Sequence, residues 1–206
     1  MSSAWRGLLA PVLFCSALAC SSKSAAPTDS GIDGLPATEV TGTIGGAAFR
    51  ARDAIFSVAA AKGLGFNGRS TVVLVSDFGG ACPNQGTNTG VKGGQSVFLG
   101  LATNDAAGMA APITGPGVFV VGPGSAAQMP GGRAQLFHER DGDDCLKAES
   151  HSASSGQVTI VSLSTSTVSG TFDVVLTDTN ERVTGSFLAA SCASFDPNRT
   201  PNATCM

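Results

Sequence analysis

Short runs of Val, Ile, Phe and Thr recur from Glu39 onward, separated by Gly-, Asn- and Pro-rich breaks. That texture predicts strands. They are expected at 39–44, 48–59, 70–77, 96–102, 117–121, 133–139, 145–151, 157–164, 168–177 and 182–189. Alternation is clearest in Thr171-Phe172-Asp173-Val174-Val175-Leu176, where a period of two puts Phe172, Val174 and Leu176 on one face. Gly45-Gly46 suits a tight hairpin turn, Asp141-Gly142 a second, and Asp178 to Asn180 a third. Residues 106–111 offer at most one helical turn, limited by Gly108 and Pro112, and no longer stretch keeps a helical period. About ten short strands predict an all-β fold, an antiparallel β-sandwich or barrel. The Gly-rich stretches 79–94 and 122–132 read as long loops.

One five-residue pattern occurs three times: Val40-Thr41-Gly42-Thr43-Ile44, Val168-Ser169-Gly170-Thr171-Phe172 and Val183-Thr184-Gly185-Ser186-Phe187. In a strand, Val, Gly and the large apolar residue share one face and the two hydroxyls the other. The Gly then admits a facing backbone or ring, or marks a bend. The pattern reads as three similar strands around one core; a repeated hydroxyl binding surface is the functional alternative. Its spacing is too irregular for a solenoid or propeller.

The N-terminus breaks the β texture. Residues 1–19 hold one positive charge, Arg6, then an apolar run from Gly7 to Leu18 and small residues, as in a secretory signal too short to span a membrane. Ala17-Leu18-Ala19-Cys20 resembles the lipobox of bacterial lipoproteins, although that family prefers Leu where Ala17 stands. The resemblance implies cleavage before Cys20, acylation of Cys20 and anchoring in a membrane through several acyl chains. Ser21 after the Cys leans towards the outer membrane. Ordinary cleavage, leaving a free secreted protein, is the alternative. Residues 20–38 are polar, small and contain Pro27 and Pro36, as a flexible tether would. The β domain is expected over 39–192 and a C-terminal tail over 193–206.

Composition narrows the partners. The chain has 206 residues, only 13% charged, with a formal net charge of −3, so it lacks the basic surplus that phosphate backbones need and no nucleic acid is expected. Its one Trp, Trp5, leaves with the leader, and there is no Tyr. Sugar binding usually uses those amphipathic rings. Phe98, Phe119, Phe137, Phe172 and Phe187 fall inside strand runs and read as core.

Of six cysteines, Cys15 leaves with the leader and Cys20 is the lipid site, which leaves Cys82, Cys145, Cys192 and Cys205. An even count in an exported chain predicts two disulfides, with three possible pairings. Cys82–Cys145 and Cys192–Cys205 are the favoured pair, the second stapling the tail. No CxxC occurs and neither His lies at ligand spacing from a Cys, so no metal centre of that kind is expected.

Catalytic motifs are absent: no GxSxG, SxxK, HExxH, phosphate-binding loop or dinucleotide fingerprint occurs. The Gly-rich stretches precede no expected helix, so they have no dipole for a phosphate. The most polar run is His138-Glu139-Arg140-Asp141-Gly142-Asp143-Asp144-Cys145. Asp141, Asp143 and Asp144 are candidate Ca²⁺ ligands, off the spacing of a helix–loop–helix site, with a solvated turn as the alternative. A two-residue turn at Asp141-Gly142 would set His138 opposite Cys145 and His151 opposite Gly132. The two imidazoles would then lie about 20 Å apart. Asn198-Arg199-Thr200 and Asn202-Ala203-Thr204 match the glycosylation triplet, which carries no weight in a bacterial exported tail.

The whole mature chain resembles the β-rich, Gly/Ser/Thr-rich lipoproteins of unknown function of myxobacteria and their relatives. The resemblance rests on the Ala17–Cys20 box, on Thr41-Gly42-Thr43-Ile44-Gly45-Gly46, on Ser169-Gly170-Thr171-Phe172-Asp173-Val174 and on Arg182-Val183-Thr184-Gly185-Ser186-Phe187. It implies no activity, substrate, cofactor or catalytic residue. The expected function is a lipid-anchored, non-catalytic binding or interaction module with an envelope protein or small ligand as partner. A structural or assembly component of the envelope is the alternative, and a hydrolytic enzyme using His138 and nearby acids a third.

Overall fold

A computed structural model describes residues 38–60, 64–122, 132–198 and 202–205. The leader, Cys20 and the tether up to residue 37 lie outside the described residues, as does most of the stretch 122–132.

The strand texture becomes fourteen strands and one short helix among the described residues. They are β1 (Glu39–Thr41), β2 (Thr43–Ile44), β3 (Ala47–Ala48), β4 (Asp53–Ala60), β5 (Arg69–Ser76), α1 (Ala81–Thr87), β6 (Thr89–Gly90), β7 (Gln95–Asn104), β8 (Ala110–Pro112), β9 (Gly117–Val121), β10 (Arg133–Asp141), β11 (Lys147–Leu163), β12 (Thr167–Leu176), β13 (Arg182–Ser191) and β14 (Asn202–Cys205).

One large sheet runs β1-β13-β12-β11-β9-β10-β7-β5-β4, with β8 alongside β7. Most pairs are antiparallel, as expected, but the sheet is mixed. β9 wedges between β10 and β11 and runs parallel to β10. At the far end β13 pairs in parallel with β4 through Ala190↔Ile55 and Ser191↔Phe56. The sheet thus curls until two of its strands touch over those residues, without becoming a fully closed barrel.

Alternation decides which side chains enter the curl. Val168, Phe172, Val174 and Leu176 of β12 point inward and are buried, as do Val97, Leu99 and Leu101 of β7 and Ala134 and Leu136 of β10. β5 is buried on both faces, which explains its unbroken apolar run Val72-Val73-Leu74-Val75. Val73 and Val75 join the inner core, whereas Val72 and Leu74 belong to a second cluster with Ile55, Leu64, Phe66, Ala81 and Phe195. That second cluster covers the outer face of β4, β5 and β7.

The repeated five-residue pattern has a packing cause. Gly170 pairs with Phe187 across β12–β13, and Phe172 pairs with Gly185 two rows away. A methyl group on Gly170 would come within 2.9 Å of the Phe187 ring, and one on Gly185 within 2.5 Å of the Phe172 ring. Each ring therefore lies over the glycine of the opposite strand, the arrangement that rescues glycine in a sheet. In the third copy Gly42 has φ 119° and separates β1 from β2, so there the glycine marks a bend.

Three local expectations need correction. Stretch 79–94 is not all loop: residues 81–87 form α1, whose first N–H donates to Asp53 Oδ2 at 2.8 Å. Pro83 in its first turn costs no helical hydrogen bond, which is why a seven-residue helix hides in a Gly-rich stretch. The strands expected at 145–151 and 157–164 are one strand, β11, with bulges between Ala153 and Ser155 and between Ile160 and Ser162. Residues 106–111 form a turn on the Asp105 carboxylate, which accepts from the N–H groups of Ala107 and Met109, and lead into β8.

All four remaining cysteines form disulfides, but in another pairing: Cys82–Cys192 and Cys145–Cys205. Cys82 sits on α1. Cys192 follows β13, and its N–H donates to Phe56 O of β4, under that helix. Cys145 lies in the β10–β11 loop, and Cys205 in β14, which pairs with β6. Proximity in sequence favoured Cys192–Cys205, and strand order overrides it. Disulfides fit an oxidising compartment outside the cytosol. Among the described residues no helix is long and apolar enough to cross a membrane.

Candidate functional site

At one end of the curled sheet the inner face turns from apolar to polar. Below Leu99, Leu136 and Ala153 the inward positions become Gln95 on β7, His138 and Arg140 on β10, and Glu149 and His151 on β11. The β12–β13 turn adds Asp178 and Glu181. The hairpin β2–β3 lies against this group. Its turn residues Gly45 and Gly46 have φ 59° and 76°, as a tight turn between such strands requires. Glu181 holds the hairpin: it accepts from Thr43 Oγ1 at 2.8 Å, Gly45 N at 2.8 Å and Gly46 N at 3.1 Å. Those donors keep the Glu181 carboxyl below its usual range, the Thr43 hydroxyl most of all.

His138 and His151 are the centre of this group. They are direct cross-strand partners, with ring centroids 5.6 Å apart and planes 23° from parallel. The expected separation of about 20 Å is wrong. Asp141-Gly142 does not form a two-residue turn. The β10–β11 connection is a five-residue loop, 142–146, with Asp141 opposite Lys147. Gly142 N donates to Leu146 O, and Cys145 adopts φ 58° where its disulfide holds it. The longer loop slides β11 along β10 and brings the two imidazoles face to face.

Each ring has one satisfied nitrogen. Gln95 Nε2 donates to Asp77 Oδ2, which turns Gln95 Oε1 towards His138 Nε2 at 3.2 Å. A carbonyl oxygen only accepts, so Nε2 carries the His138 proton and Nδ1 is a bare lone pair. His151 Nδ1 donates to Asp178 Oδ2 at 2.6 Å. The second nitrogens, His138 Nδ1 and His151 Nε2, are buried and have no hydrogen-bond partner among the described residues. His138 is 0% exposed and its ring edge-packs on Phe49. Burial lowers its pKa to about 4, helped by His151 and Arg140 and opposed by Glu181. The bond from His151 holds the Asp178 carboxyl below its ordinary value.

The three aspartates at the β10–β11 connection, Asp141 ending β10 and Asp143 and Asp144 in the loop, go separate ways. Asp141 points to the outer side, into a cleft of about 110 Å³ that also exposes Phe78, Phe98, Glu139 and Asp196. Burial raises its pKa to about 6; the Val91 N–H works against this, and Glu139, Asp144 and Asp77 add to it. Asp143 is exposed beside Lys92 at 3.4 Å. Asp144 Oδ1 accepts from Leu146 N at 3.1 Å. Among the described residues no group of three or more His, Cys, Asp or Glu side chains is assembled as a metal centre.

A second feature occupies the outer face of β9, β11, β12, β13 and β1. Cross-strand register lines up Val118–Thr159–Thr171–Ser186–Glu39 in one row and Val120–Gln157–Asp173–Thr184–Thr41 in the next. These rows line a shallow concavity of about 380 Å³. Val118 and Val120 are 52% and 46% exposed at its rim. Arg182 clamps Asp173 in a fork, with nitrogen–oxygen distances of 2.8 and 2.6 Å, and holds that carboxyl below its usual value. Four of the six hydroxyls of the repeated pattern, Thr41, Thr171, Thr184 and Ser186, thus share one surface with two strands outside it. The sequence pointed to the hydroxyl surface through Thr184 and Ser186; it gave no sign of Gln157 or of the valine rim, which only register places there.

No protein-family model, no curated protein and no solved structure matches the chain.

Proposed function

We propose that the chain is a lipid-anchored protein of the bacterial cell envelope, held at the outer membrane through Cys20, and that it works as a non-catalytic binding module for an envelope protein or a small ligand. The observation that carries the binding role is the hydroxyl-rich concavity on the outer face of β9, β11, β12, β13 and β1. Among the described residues no element packs over its two rows. Its Thr, Ser and Gln side chains are neutral donors and acceptors, its Asp173 is paired with Arg182, and Glu39 adds one carboxylate at the β1 edge, so the surface suits a polar partner face. Two disulfides support an exported chain, and the Ala17–Cys20 box with its tether supports the anchor.

A hydrolytic role is supported less. His138, the residue on which such a role would depend, is fully buried, and its ring neighbours are Phe49 and His151 rather than a nucleophile. The test is native mass spectrometry of the protein extracted in detergent from its own envelope. The expected result is a chain beginning at Cys20 with acyl additions, and a retained partner that Thr171→Arg removes while thermal unfolding stays unchanged. An unmodified chain beginning elsewhere defeats the anchor. A partner kept by Thr171→Arg defeats this surface.

A further inference from the structure

We propose that the notch between β10 and β11, where β9 ends, binds a small carboxylate with an apolar body, such as a short fatty acid, and that Arg133 holds its charge. The inference concerns a different part of the sheet from the hydroxyl-rich concavity and does not depend on it.

Three observations carry it. The first is a gap in the sheet. β9 fills the space between β10 and β11 only as far as Val121, which pairs with Ala134 on one side and Gly156 on the other. β10 and β11 meet each other directly only from Phe137 and Ser152. Gln135 and Leu136 on one strand, and Ala153 and Ser154 on the other, therefore flank a gap that no described strand fills. A notch of about 390 Å³ opens there, and small-molecule sites span roughly 300–1,000 Å³.

The second is a cation without a counter-ion. Among the described residues Arg133 is the one charged side chain that borders the notch. Its guanidinium lies 5.8 Å from the centroid of the buried Phe66 ring. Gln135 Oε1 accepts from its Nη2, while Gln135 Nε2 donates to Leu64 O. That amide carries no charge. Arg133 Nε is buried and has no partner among the described residues. Desolvation lowers the Arg133 pKa with no acid to raise it again, whereas Asp173 raises that of Arg182. Residues 123–131, which join β9 to β10, contain no Asp or Glu. Desolvated charges are normally paired, and the guanidinium fork matches a carboxylate.

The third is the lining. Val121, Leu136, Phe137 and Ala153 border the notch, with the hydroxyls of Ser152 and Thr177. An organic cation finds no acid there. Inorganic phosphate or a sugar would leave polar groups against apolar walls without partners. One cation among apolar side chains suits a carboxylate that carries hydrocarbon.

The experiment titrates the full-length protein in detergent with hexanoate by calorimetry, against protein-free micelles. The expected result is one hexanoate per chain and no binding of hexylamine. Acetate keeps the charge and loses most of the hydrocarbon, so it should bind more weakly by about tenfold or more. Arg133→Gln should weaken hexanoate binding about tenfold, the worth of a charge-assisted hydrogen bond. Arg50→Gln, at an exposed position away from the notch, should bind as the parent does. If Arg133→Gln fails to fold, Ser152→Phe decides. Ser152 is exposed and stands opposite Phe137, where a cross-strand aromatic pair is favourable. The fold is then kept, the new ring fills the notch beside an intact Arg133, and hexanoate binding should be lost. No binding by the folded parent overturns the proposal. So do equal affinities for hexanoate and hexylamine, hexanoate affinity unchanged in Arg133→Gln, or binding retained in full by Ser152→Phe.

Discussion

The outer face of the curled sheet has two halves built on opposite rules. Over β4, β5 and β7 the outward residues Ile55, Val72 and Leu74 are apolar and buried, roofed by α1, Leu64, Phe66 and the segment after β13. Over β9, β11, β12, β13 and β1 the outward residues are Thr, Ser and Gln with the carboxylates Asp173 and Glu39 and a rim of exposed Val, and no described element roofs them. Both halves share one inner core, so the difference lies in what each outer side meets. The roofed half shows that β strands here take apolar residues outward wherever something covers them. Hydroxyls on the other half therefore mark a surface that stays wet or meets a polar partner.

The largest expected effect comes from unfastening the roof. Cys82–Cys192 ties α1 to the end of β13 across 110 residues of chain. Replacing both by Ser should cost about 2–5 kcal/mol in denaturant unfolding. Hydrogen exchange should quicken in β4 and β5 and hold steady in β11 and β12. Equal loss in both halves would mean that the roof is part of one cooperative core. Next in size is a pair of truncations at matched outward positions. Leu74→Ala should cost roughly 2–5 kcal/mol, because the roof closes poorly on the cavity. Thr171→Ala should stay within about 0.5 kcal/mol, as exposed substitutions do. A large cost at Thr171 would show a covering that the described residues lack.

Smaller again is the glycine–ring pairing beneath the hydroxyl half. Gly170→Ala puts a methyl group 2.9 Å from the Phe187 ring and against the backbone of β11. It should cost about 1–3 kcal/mol, the range for overpacking. Gly46→Ala meets nothing within 4 Å but is strained by its φ of 76°. Thermal unfolding of the two variants separates crowding from backbone strain, and Gly170→Ala should melt lower.

Much of this architecture was legible in the sequence, for identifiable reasons. Period-two alternation located most of the long strands, and the inward set Phe172, Val174 and Leu176 is as read. The five-residue repeat announced strands whose glycines face a ring, and two of the three do. What failed was register and long-range order. The disulfides mispaired because Cys82 meets Cys192 only once α1 folds over β4, a contact between distant segments. The His pair stayed hidden because the sequence suggests a two-residue turn at Asp141-Gly142; a loop three residues longer, begun one residue later, and the bulge at Arg140/Asp141 together move the partner of His138 from Cys145 to His151. Local composition fixes faces well; it does not fix how far one strand slides along another.

The smallest expected effect is a cancellation. His138 sits in the polar end of the inner core and Asp141 at the margin of the roofed half. Burial moves the two pKa values past each other, to about 4 for the imidazole and about 6 for the carboxyl. Between these values folded His138 is neutral while its unfolded form holds a proton, so His138 makes stability rise with pH. Over the same interval folded Asp141 keeps a proton that its unfolded form has lost, so Asp141 makes stability fall with pH. With one proton each way, the two slopes oppose and the net dependence is near zero. Asp173 and Asp178, whose carboxyls are held below their usual range, lose their contribution only as pH falls further, and Glu181, held low in the same way, begins to lose its own as pH falls towards 4.5. Urea unfolding from pH 5 to 6 should therefore be nearly flat for the parent. Asp141→Asn removes the falling slope and should reveal stability that climbs with pH across that window, by His138 alone. A flat profile in Asp141→Asn would mean that His138 is not held neutral.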